Sequence, residues 1–82
     1  MDREIFIKRK DSLISLIKNS LSKTFISEQD RVSLVKVLEL LNQYSFENRL
    51  QMKGLLSHTI IDSLELDYSL GEKFIAFDND IR

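Results

Sequence analysis

The sequence predicts an all-α fold, a compact four-helix bundle or orthogonal array with short loops. Three observations carry that expectation. The chain has no Pro and only two Gly, Gly54 and Gly71, so few turns are forced. Large apolar residues recur at helical spacing through most of its length. No stretch alternates apolar and polar residues over a strand's length. With 82 residues, the chain is read as one domain spanning 1–82.

The first helix is expected from about Arg3 to about Ser22. At ~100° per residue, Phe6, Ile7, Leu13, Ile14, Ile17 and Leu21 share one face, with Ile5 and Leu16 at its margin. Lys10 falls in the middle of this apolar arc. Either its stem covers apolar surface while the ammonium reaches water, or it pairs with an acid on a neighbouring helix. After a connection at Lys23-Thr24-Phe25-Ile26, Ser27 reads as an N-cap with Asp30 at the third helical position. The second helix, about Glu28 to Gln43, is the most apolar. Its polar strip is limited to Lys36, Glu39, Asn42 and Gln43, which marks it as the expected central element.

Ser45 can cap a long third helix, about Phe46 to Leu66, with Gly54 as its candidate point of break or bend. Its expected main face holds Phe46, Leu50, Leu56, Ile60, Ile61 and Leu64. Ser69 and Glu72 match a capping box ahead of a fourth helix, about Leu70 to Ile81. Leu70, Phe74, Phe77 and Ile81 give that helix a single apolar stripe.

Hydrophobic residues at 43% and charged residues at 30% place the chain with globular rather than disordered proteins. A core this small supplies only ~3–5 kcal/mol net. The chain has no Cys, which excludes disulfides and Cys-based zinc sites. Additional stability from self-association or from a partner is therefore a natural expectation. The charged start, Met1-Asp2-Arg3-Glu4, does not resemble a signal peptide, and no apolar run approaches membrane-spanning length. The expected location is the cytoplasm.

The net charge of −1 hides an asymmetry. Residues 1–26 carry six Lys/Arg and three Asp/Glu, whereas residues 59–82 carry six acids and two bases. A near-neutral total argues against a dedicated nucleic-acid binder. If there were such a site, it would use Arg3, Lys8, Arg9, Lys18 and Lys23 on the first helix and its exit.

No catalytic constellation, metal set or cofactor loop is expected. His58 and Asp62, four apart, can meet on a helix face, as a solvated pair or, with Glu65, as an acid–base group. Asp78-Asn79-Asp80 resembles the opening of a calcium loop but lacks the Gly and Glu that must follow, so it reads as an acidic helix end or frayed tail. Gly71 falls in a first helical turn, where Gly costs little.

The preferred functional expectation is a non-catalytic interaction module, self-associating or binding a partner protein. Met52, Leu55, Leu66 and Ile75 fall outside the main apolar stripes and could form a contact patch. Asp62, Glu65, Asp67 and Glu72 beside them would attract a basic partner, as an inhibitor or immunity-type protein does.

Overall fold

A computed structural model describes residues 1–63 and 67–82. The described residues form α1 (Arg3–Leu21), α2 (Glu28–Gln43), a single turn α3 (Arg49–Met52), α4 (Leu55–Ser63) and α5 (Tyr68–Asp80), with no strand among them. The main contacts run α1 to α2, α2 to α4, α4 to α5 and α5 back to α1. The four longer helices therefore close a ring around one core, confirming the all-α bundle.

This ring has no central helix, which corrects the expectation for α2. That helix buries Leu34, Val37 and Leu41 on one face, while Val32 and Val35 are exposed. The core is shared more evenly, with Phe6 and Ile17 of α1, Leu56 of α4, and Phe74 and Phe77 of α5 all buried. Phe6 lies against both Phe77 and Phe46, with ring centroids 5.5 and 6.0 Å apart. Ile7 of α1, placed on the main face by periodicity, is exposed instead.

Local capping explains two helix starts. The Asp2 carboxylate accepts from the Ile5 N–H at 2.8 Å, a cap not assigned from the sequence, and the Ser27 hydroxyl accepts from the Asp30 N–H at 3.1 Å, the cap expected for α2. The fourth predicted helix starts earlier than expected. Asp67, not Ser69, is its N-cap and accepts from the Leu70 N–H at 3.2 Å.

The predicted third helix is divided. Ser45 and Asn48 do exchange side-chain-to-backbone hydrogen bonds at 2.8 and 3.1 Å, but around a turn at 46–48 rather than a long helix. α3 then stops after one turn, and Gly54 takes φ +95°, a left-handed conformation suited to Gly. The break resets the helical phase. Leu56 and Ile60 face the core, whereas Leu50 and Ile61, assigned to the same face of an unbroken helix, are exposed.

Lys10 pairs with no acid among the described residues. Its ammonium donates to the Tyr44 carbonyl at 2.6 Å, at the C-cap of α2, where a cation suits the negative end of the helix. The chain end is not a frayed tail either. Ile81 is fully buried, Arg9 pairs with Asp80 at 2.9 Å, and Arg49 donates to the Arg82 carbonyl at 2.7 Å.

Candidate functional site

α4 and α5 run antiparallel, and each end of the pair has its own chemistry. Gly54 offers no capping side chain to the start of α4. The first-turn amides of a helix lack intrahelical acceptors, and here the acceptors come from other helices. Asp78, on α5 and 0% exposed, accepts from the Gly54 N–H at 2.9 Å, the Ser57 N–H at 3.0 Å and the Ser57 hydroxyl at 2.7 Å. The buried Tyr44 hydroxyl accepts from the Leu56 N–H at 2.9 Å. Its own proton faces the Asp78 carboxylate and the Met52 carbonyl, both at 2.8 Å.

Burial and, next, the hydrogen bond to Asp78 push the Tyr44 hydroxyl far above the usual tyrosine range. No buried side-chain polar atom among the described residues lacks a partner. The cluster is enclosed and satisfied, and its geometry is that of a structural lock.

The other end of the pair is open. Ile61 is 69% exposed and Tyr68 83%, and with Ile60 and the half-buried Ile75 they border a groove of about 350 Å³. Gly71 contributes no side chain to this surface. A Cβ there would meet only Ile60 Cγ2, at 3.6 Å. Among the described residues, the charged groups along the groove are Asp67 and Glu72, with no base beside them. Neither acid has a cationic partner among the described residues.

Of the residues predicted for partner contact, Ile75, Asp67 and Glu72 come together at this groove. Met52 does not. It packs against the core at the far end of the pair, where its carbonyl faces Tyr44. Leu55, 44% exposed, lies with Asp62 on a different strip of α4. Leu66 and Glu65 lie outside the described residues.

Ile61 and Tyr68 were not singled out by the sequence as contact residues. Ile61 is hidden by the phase error across Gly54, and Tyr68 by the misplaced start of the last helix. Phe25, in the α1–α2 connection, is also almost wholly exposed.

The alternative basic surface is largely self-neutralised. Arg3 pairs with Glu47 at 2.6 Å and lies over the Phe46 ring, Lys8 pairs with Glu4 at 3.2 Å, and Arg9 pairs with Asp80. Lys18 and Lys23 remain exposed near the end of α1. The hydrogen bond from Arg3 holds the Glu47 carboxyl below its ordinary range.

His58 and Asp62 meet at 3.0 Å on a solvated helix face, away from the groove. No group of three or more potential metal ligands occurs among the described residues, and no helix there is long and apolar enough to cross a membrane. No family model, curated protein or solved structure matches the chain in sequence or fold comparison.

Proposed function

We propose that this chain is a non-catalytic helical interaction module whose α4–α5 groove binds another protein. One observation carries the reading: Ile61, Tyr68 and Ile75 line a common depression while Ile61 and Tyr68 leave most of their surface to water. Single exposed apolar residues are ordinary, but a grouped and concave set is the usual form of a contact site. Inhibition of a basic protein, in the manner of an immunity protein, is one form the role can take. The acids at the groove support that form through long-range attraction.

The test is site-specific photo-crosslinking in the cells that make the protein. A photoreactive residue at position 61 or 68 is expected to yield a discrete heavier adduct, and one at the exposed α2 position 36 is not. Adducts absent from both groove positions, or equal at all three, would contradict the reading.

A further inference from the structure

We infer that the occupant of the groove is a partner helix that inserts one or two apolar side chains and carries Lys or Arg one turn away on either side. This rests on the groove being the binding face and adds the chemistry of what it takes. The groove lies between two antiparallel helices and its walls are Ile60, Ile61, Tyr68 and Ile75. Such a furrow accepts the apolar ridge of a third helix, a common mode of helix recognition.

The charge is one-sided. Asp67 and Glu72 border the groove without a salt-bridge partner among the described residues; Lys73, the next residue on α5, lines two other depressions, one of which it shares with Lys23 and Asp67, whereas Glu72 borders the groove only. Asp67 spends one carboxylate oxygen on capping Leu70, so a partner ammonium can still reach its other oxygen. Unpaired carboxylates around an apolar depression favour a cation-flanked ridge and disfavour an acid-flanked one. The same argument weighs against a symmetric pair of this chain. A two-fold contact through the groove would bring Asp67 and Glu72 against their own copies.

Two synthetic helical peptides test this. They share one Leu stripe and differ only in flanking residues, all Lys in one and all Glu in the other. Fluorescence anisotropy reads their Kd for the full chain. The Lys peptide is expected to bind at least about tenfold tighter at ~50 mM salt, with most of that advantage lost at ~500 mM, where the Debye length is only a few ångströms.

The double variant Asp67→Asn, Glu72→Gln should narrow the ratio, since Asn preserves the helix cap. Glu28→Gln with Glu39→Gln removes the same charge elsewhere and should leave the ratio in place. Ile61→Asp should abolish binding of both peptides.

Equal affinities that Ile61→Asp abolishes would overturn the cationic partner while leaving the groove as a binding face. Binding of neither peptide would overturn the proposal, and the crosslinking would then judge the groove separately. A dimer in sedimentation equilibrium that Ile61→Asp dissociates would overturn it in favour of a second copy.

Discussion

Where α4 begins against the end of α5, a carboxylate without exposed surface collects four donors: the Tyr44 hydroxyl, the Gly54 and Ser57 amides, and the Ser57 hydroxyl. Where α4 ends against the start of α5, the facing groups are Ile61, Tyr68 and Ile75, and the first two meet water. Polarity is inverted relative to burial. The polar groups are enclosed at one end and apolar groups are displayed at the other. The difference separates two tasks on one helix pair. A satisfied buried polar network fixes a unique arrangement, while exposed apolar area adds little to the isolated fold and is available to a partner.

The comparison breaks most severely at Asp78. Replacement by Ala strands several neutral donors at the start of α4, each costing about 1–3 kcal/mol when left buried without an acceptor, and the expected total loss is about 3–5 kcal/mol. That is a large share of the stability of so small a domain. Urea denaturation reads the change. A loss under ~1 kcal/mol would mean the lock is incidental.

Tyr44→Phe keeps the ring and removes the hydroxyl, leaving the Leu56 amide without its acceptor, and should cost about 1–3 kcal/mol. It carries a second signature. In the fold, Tyr44 stays protonated at a pH where an unfolded tyrosine, with an ordinary pKa of about 10, has ionised. The unfolded state then holds fewer protons, so stability should fall as pH rises above about 10. Denaturation midpoints measured across the alkaline range should decline less steeply in Tyr44→Phe than in the parent.

Gly54→Ala forces a side chain into φ +95°. Nothing lies within 4 Å of the new Cβ, so the whole cost is backbone strain, about 1–2 kcal/mol. Thermal unfolding should show it. At the open end, Ile61→Asp should change stability by less than about 0.5 kcal/mol while removing the groove's apolar wall. A loss comparable to that of Asp78→Ala would show that Ile61 holds the fold and would erase the contrast between the two ends.

The fold was legible in the sequence wherever its determinants are local. Ser27 and Asp30 sit three apart, so the cap on α2 could be read directly. The core positions of α1 follow from period alone, apart from Ile7. Gly54 stands out as an anomaly within a helical pattern, but residue identity alone leaves open whether the helix breaks or bends there. The lock was not legible. Asp78 reaches Ser57 and Tyr44 across 21 and 34 residues, and its neighbours Asn79 and Asp80 made it resemble one more surface acid.

Lys10 shows the same limit from another side. Its position in the apolar arc was visibly anomalous, but its partner is the Tyr44 carbonyl, and a backbone acceptor leaves no trace in residue identity. The groove was half legible. Ile75, Asp67 and Glu72, candidate contact residues by sequence, do line it, while Met52, grouped with them, packs on the core beyond the break.

Amide hydrogen exchange, read by NMR on the native protein, addresses the lock most directly. Gly54 directly precedes α4, and Leu56 and Ser57 belong to its first turn, where amides ordinarily exchange quickly. Here they should exchange as slowly as core amides such as those of Val37 and Leu41, and much more slowly than Tyr68 and Ser69 at the start of α5. Rapid exchange at Gly54 and Ser57, matching that of Tyr68 and Ser69, would contradict a start of α4 held by Asp78 and Tyr44.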